Sequence, residues 1–322
     1  MSDAVARLKA QLPEHPSVDE LTPLADDYTG LRILAVHAHP DDESSKGSAS
    51  AAAYTDRGAR YMVATMTGGE RGDILNEEIK HSPRAHRDLP GMRRSEMAAA
   101  AKTIGIEHRW MGFVDSGLPE GDPMPPLPFG CFGVQPLERA AAPLVRLVRE
   151  YRPHVMISYD EIGGYPHPDH IMSHKVAVEA YEKAGDPEAY VGEGQPWAPL
   201  KLYYDRAFNP ERLVAGHEFL MARDGQSVFS GWIENLVDQV STEGIRHEST
   251  TRIPSSVYFD RRDQAMLAHA SQIDPNGAFF AIPTEDVKKV WPWEDYTLIA
   301  SRVPVDLPEC CLADGLDYKA AG

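Results

Sequence analysis

Leu31-Arg32-Ile33-Leu34-Ala35-Val36-His37-Ala38 runs straight into His39-Pro40-Asp41-Asp42-Glu43. A short, nearly unbroken apolar run of this kind is a strand buried on both faces, as in the interior of a parallel sheet. Working outward, the spacing predicts a helix over residues 46–57, closed by Gly58 just past its last turn. A second strand follows at 60–66, then the glycine-rich TGGERGD. A helix over 93–104 ends at Gly105, and a third strand spans 107–114. A helix over 136–151 leads to a fourth strand at 153–159, and a helix over 169–184 leads to a fifth at 200–206. Strand and helix alternate five times, which predicts βαβ units and an α/β fold: a Rossmann-like, mostly parallel sheet flanked by helices. Beyond residue 209 the pattern is more helical, with helices expected at 210–223, 230–240 and 255–272. The chain then divides into an acidic N-terminal arm (1–30), a Rossmann-like core (31–206), a smaller, mainly helical C-terminal part packed on it (207–305) and a polar tail (306–322).

The 322 residues carry 32 Lys and Arg against 49 Asp and Glu, a formal charge of −17. That balance argues against neutralising a phosphate backbone or an anionic membrane, so no nucleic-acid or membrane partner is expected. Three cysteines, Cys131, Cys310 and Cys311, form no disulfide framework and no CxxC ribbon. The first twenty residues lack an apolar signal region, and no run is apolar enough to span a bilayer, so a soluble, cytoplasmic protein is expected. The segment 117–136 holds six prolines and four glycines and suits a lid or rim.

Ligands of parallel α/β sheets bind beyond the carboxyl ends of the strands. Two His/Asp-rich segments fall there: His39-Pro40-Asp41-Asp42 after strand one and His167-Pro168-Asp169-His170 after strand four. Either alone is compatible with an ordinary turn, since Pro and Asp are turn formers. Together they supply a His₂Asp set, His39, Asp42 and His170, of the kind that holds catalytic zinc with one position open. Asp41 is then a spare carboxylate placed to take a proton from an activated water. His167 is a spare imidazole for an oxyanion or a leaving amine. The implied reaction is metal-assisted hydrolysis of an amide or ester. A rival ligand pair is His170 with His174, one helical turn apart; His37 is either a support for the site or a core histidine. Two histidines and a carboxylate also form the facial triad of ferrous oxygenases. Dinucleotide, P-loop and GxSxG signatures are absent, and Cys131 reads as an inert thiol.

VHAHPDDESSKG, TGGERGDILN, GFVDSGLPEGD, RPHVMISYDEIGGYPHPDH, KLYY and HASQIDPN resemble the PIG-L/LmbE-like family of N-acetylglucosaminide deacetylases, and within it the mycothiol S-conjugate amidase branch. The resemblance spans about residues 31–305. It implies zinc, with ferrous iron as a substitute, on His39, Asp42 and His170, with Asp41 as general base. It implies His167 as the acid that polarises the carbonyl, tuned by Asp169, with Tyr165 helping at the oxyanion. Arg93 and Asp115 fall at positions for the glucosaminyl-inositol hydroxyls, Lys46 beside the sugar, and Gln272 reaching the site from the C-terminal part. The implied substrate is a small pseudo-disaccharide thiol conjugate, cleaved to glucosaminyl-inositol and a mercapturic acid, for detoxification or a specialised metabolite pathway. The alternatives are the N-acetylglucosaminyl-inositol deacetylase of the same thiol's biosynthesis and, more remotely, a non-heme iron oxygenase or a non-catalytic glycan-binding module.

Overall fold

The computed structural model describes residues 2–13, 15–17, 20–243 and 246–319. Strands β1 (Arg32–His37), β2 (Arg60–Thr67), β3 (Glu107–Phe113), β4 (Val155–Ser158), β5 (Lys201–Asp205), β6 (Thr251–Pro254) and β7 (Trp293–Ser301) form one sheet, ordered β3-β2-β1-β4-β5-β7-β6. The first five are parallel, and β7 and then β6 extend the β5 edge antiparallel. The α/β class and the five leading strands match the sequence reading. The helices are α1 (Ser2–Lys9), α2 (Asp42–Ser45), α3 (Ser48–Thr55), α4 (Pro83–Arg87), α5 (Leu89–Ile104), α6 (Leu137–Tyr151), α7 (Pro168–Lys183), α8 (Pro210–Asp224), α9 (Ser230–Glu243), α10 (Phe259–Ala268) and α11 (Thr284–Val290). No described helix is long and apolar enough to cross a membrane.

Side chains alternate across each strand, so the sheet feeds two cores. Ile33, Ala35, Val63 and Ile157 join a cluster with Ala52 and Tyr54 of α3 and Ala100 and Ile104 of α5. Leu34, Val36, Ala64 and Met156 pack on the other face against Leu144 and Val148 of α6 and Val176 and Ala180 of α7. Burial on both faces is why these strands read as apolar runs.

Three departures from the sequence reading bear on the site. The helix expected at 46–57 is the shorter α3, and the loop before it holds the extra turn α2; the two are separated at Gly47, whose φ is 94°, and a Cβ there would stand 2.5 Å from the Tyr296 hydroxyl. The C-terminal part, read as mainly helical, also supplies β6 and β7. The tail, read as polar, inserts Leu312 into the core and places Glu309 against the fully buried Lys201. The acidic arm packs on the fold: Val5 and Leu8 meet Val214 of α8 and Ile233 of α9, and Leu24 and Tyr28 join the main core.

Candidate metal centre and active site

Strand order reverses between β1 and β4, which makes their carboxyl ends the switch point where a crevice opens. Both His/Asp segments lie there. After β1 the chain turns sharply, and Asp42 closes the turn by accepting the His39 amide at Oδ2, 2.9 Å away. The same oxygen accepts the Tyr159 hydroxyl at 2.6 Å, and Lys46 donates to Oδ1. Burial alone would favour the neutral acid, but Lys46, His170 and His39 hold the Asp42 carboxyl well below its usual range.

His170 lies in the first turn of α7. Its Nδ1 donates to the Gly163 carbonyl at 2.8 Å, and Tyr159 stacks on its ring at 4.4 Å. Gly163 makes this approach possible: its φ is 77°, and a Cβ would sit 2.4 Å from that of His170. His39 Nε2 meets Asp169 Oδ2 at 3.2 Å and lies 3.7 Å from Asp115 Oδ1. Asp169 is in turn held by the backbone N–H and hydroxyl of Ser116. Both rings therefore spend their outer N–H on protein acceptors, the arrangement that orients metal-binding histidines.

The inner nitrogens, His39 Nδ1 and His170 Nε2, face each other at 3.3 Å. Two lone pairs at that distance repel unless a proton or a cation stands between them. Burial opposes charge on His39, but Asp115 and Asp169 outweigh it and push the ring up to about 10. Asp42 Oδ2 completes a triangle, 3.7 Å from each nitrogen. A tetrahedral zinc with bonds of about 2.0–2.1 Å sets its ligand atoms about 3.3–3.4 Å apart, so the donor set fits such an ion. His167 also brings a ring nitrogen within 4.8 Å of those of His39 and His170. A second converging group, His39 with Asp115 and Asp169, uses the protonated edge of His39 and serves as its anchor. His174 joins neither group; it binds the Tyr159 carbonyl at 3.1 Å and packs on Tyr204, which removes it as a ligand partner for His170. His37 is buried edge-on to Tyr159 at 5.7 Å.

Asp41 adopts φ 122°, ψ −26°, a strained conformation for a residue with a Cβ. Four contacts hold it. Its amide donates to Glu43 Oε2 at 2.9 Å. Arg93 reaches the Pro40 carbonyl at 2.6 Å, the Gly69 carbonyl at 3.0 Å and Asp41 Oδ1 at 3.2 Å. Glu43 is itself anchored by His269 at 2.6 Å. Burial raises the Asp41 carboxyl above its ordinary value, against the pull of Arg93.

His167 precedes α7 and accepts the Asp169 amide on Nδ1 at 3.1 Å, which leaves its proton on Nε2 when neutral. Burial, then the charge on His39, lowers this ring to about 4. Tyr165 is 39% exposed, with its ring 4.7 Å from that of His170 and 6.1 Å from that of His167. The sequence-derived residues thus assemble around one point, several with different partners from those expected. Asp169 hydrogen-bonds His167 only through its backbone N–H; its carboxylate bonds His39 and Ser116 and acts on His167 through space, raising it. Arg93 clamps the Asp41 turn, and Lys46 is committed to Asp42. Asp115 accepts the Gly117 and Arg71 amides, both at 2.8 Å, beside His39. Gln272 ties the C-terminal part to the Asp73 carbonyl at 2.9 Å. Glu43, Tyr159, Ser116 and His269 had been given no role, although all four stand inside quoted motifs. Asp169→Asn is expected to weaken metal binding about 10–100-fold, measured by competition with a chromophoric chelator; unchanged affinity would remove Asp169 from the support of His39.

The profile described as PIG-L: GlcNAc-PI de-N-acetylase matches residues 34–181, which contain both motifs. The chain is 46% identical to the mycothiol S-conjugate amidase of Streptomyces coelicolor over 90% of its own length and 99% of that protein's. It is 37% identical to a 1D-myo-inositol 2-acetamido-2-deoxy-alpha-D-glucopyranoside deacetylase of Streptomyces avermitilis, over 85% of this chain and 93% of the other. Its fold resembles that of N,N'-diacetylchitobiose deacetylase from Pyrococcus horikoshii, with a TM-score of 0.56, 14% identity and 83% coverage of each chain. A fold shared with a deacetylase, a His₂Asp triangle at the switch point, and long-range identity to amidase and deacetylase sequences agree: the chain belongs to the PIG-L family.

Proposed function

We propose that the protein hydrolyses the amide bond of mycothiol S-conjugates, releasing glucosaminyl-inositol and an N-acetylcysteine S-conjugate. The observation that carries this reading is the His39–Asp42–His170 triangle with Asp41 and His167 beside it. Zinc is the proposed resident, with ferrous iron the alternative. When bound, the cation supplies Lewis-acid polarisation of the carbonyl and acidifies a water. Asp41, held by Arg93 and partly open to solvent, takes the proton from the attacking water. His167 presents Nε2–H to the carbonyl oxygen and then to the departing amine nitrogen. Tyr165 adds a hydroxyl on the same side as His167. Arg93, Asp115, Lys46 and Gln272, each bonded within the fold, are the residues to which the family resemblance assigns the sugar and inositol. The three cysteines are free, which supports a reducing, cytoplasmic setting.

The deacetylase reading is favoured less, because identity is higher to the amidase. The assay that separates them offers metal-loaded enzyme a bimane conjugate of mycothiol and the N-acetyl sugar; faster turnover of the sugar reverses the assignment. Stripping the metal with a chelator is expected to abolish turnover, and one equivalent of zinc per chain to restore it. Full activity in protein verified as metal-free would sink the proposal, and turnover that requires dioxygen would revive the oxygenase.

A further inference from the structure

An apolar cavity opens beside the metal centre. Its volume is about 100 Å³, and it runs from Ser45 and Phe208 to Phe229, Trp232 and Ile282. Ser45 binds the Asp41 and Asp42 carbonyls, each at 3.3 Å, so this wall is also the wall of the site. Phe208 stands between the two spaces: its ring is 6.4 Å from that of Tyr165 and 6.5 Å from that of Trp232, which is 5.8 Å from Phe229. A line of aromatic rings thus leads from the oxyanion side of the metal centre into the cavity.

The cavity holds one feature that the fold does not explain. Arg212 of α8 lines it and makes no hydrogen bond or ion pair among the described residues. Its acidic neighbours are engaged elsewhere. Asp263 takes Arg262 and Thr284, Glu294 caps α3 through the Ala49 and Ser50 amides, and Asp295 takes Trp291 at 2.7 Å. Burial, then the like charge of Arg262, presses the Arg212 guanidinium below its usual range, against the through-space pull of Asp295, Glu294 and Asp263, none of which bonds it. A part-buried guanidinium facing an apolar space is costly without an anion, and its planar fork matches a carboxylate.

We propose that this cavity is the subsite for the sulfur-linked group, and that it selects conjugates whose substituent is a flat apolar body ending in a carboxylate that pairs with Arg212. The proposal rests on the amidase reading. In such a conjugate the sulfur is three bonds from the scissile carbonyl carbon, so its substituent must leave the metal centre almost at once, and the Phe208 wall is where the aromatic surface begins.

The test compares three mycothiol conjugates, S-methyl, S-benzyl and S-(4-carboxybenzyl), on metal-loaded enzyme. Wild type is expected to rank them carboxybenzyl, benzyl, methyl in kcat/KM. Arg212→Gln should lower the carboxybenzyl-to-benzyl ratio at least tenfold, and Trp232→Ala, at a residue 45% exposed, should lower the benzyl-to-methyl ratio. Ratios unchanged in both variants, or a wild-type preference for S-methyl, overturn the proposal. Direct binding of 4-(methylsulfanylmethyl)benzoate and its methyl ester, followed by tryptophan fluorescence, keeps the outcomes separate. If no conjugate is hydrolysed the amidase reading fails, while the cavity is still judged by whether the acid binds at least tenfold tighter than the ester and loses that advantage in Arg212→Gln. Equal binding of acid and ester counts against it. Should Arg212→Gln not fold, the acid-to-ester comparison on wild type and on Trp232→Ala decides.

Discussion

Asp41→Asn is expected to keep its metal and lose about 10²–10⁴-fold in kcat, the usual worth of a positioned general base. The substitution is well chosen for this fold. Asp41 sits at φ 122°, and asparagine is among the few residues with a Cβ that tolerate positive φ. An amide oxygen can still accept from Arg93, and the Glu43 contact is made to the backbone N–H, so the turn that places Asp42 is preserved. What is lost is the ability to take a proton. Metal content and kcat are measured on the same preparation. Retained turnover with metal in place would rule out Asp41 as the base; loss of metal together with turnover would show that Asp41 acts by shaping the ligand loop.

Glu309→Gln is expected to destabilise the protein by about 3–5 kcal/mol, the cost of leaving one member of a buried ion pair without its partner. Lys201 and Glu309 are both fully inaccessible. Glu309 also accepts the Tyr203 hydroxyl at 2.8 Å and that of Thr251 at 3.2 Å, while its backbone pairs with Thr250 and Arg252. Glutamine keeps an acceptor for the two hydroxyls but leaves the Lys201 ammonium uncompensated. Adding Lys201→Met to that background should recover most of the loss, because the unpaired charge goes and apolar volume replaces it. Denaturant unfolding of the single and double variants checks this. Additive losses, with no rescue, would mean that the pair is not what secures the C-terminal segment to β5 and β6.

Both motifs were legible because the chemistry is written in loops bounded by recognisable strands. The runs ending at His37 and near Ser158 are apolar on both faces, so their ends, and the His/Asp segments beyond them, could be placed from sequence. Strand β7 was not legible, although Trp293–Ser301 is a long strand. It carries Glu294 and Asp295, which read as polar surface, yet both are buried. Glu294 takes the first amides of α3 from elsewhere in the fold, and Asp295 takes the nearby Trp291 indole and lies 3.5 Å from Arg252 of β6. The same masking hid Glu309 in a segment of polar composition.

Sequence alone was enough to read the parallel βαβ core and to nominate His39, Asp42 and His170 as a His₂Asp set, with Asp41 as a spare carboxylate and His167 as a spare imidazole. Each follows from residue type and from position relative to a strand end, which are local properties. Only the tertiary structure decided how those residues are held. It assigned the Asp169 carboxylate to His39, Arg93 to the strained Asp41 turn, Lys46 to Asp42, and Glu43 to a histidine 226 residues away. It also placed Arg212 on the wall of a mostly apolar cavity with no hydrogen-bond or ion-pair partner among the described residues. A buried charge is stabilised only by partners at the right distance and angle, and chain folding alone brings such partners together from distant segments.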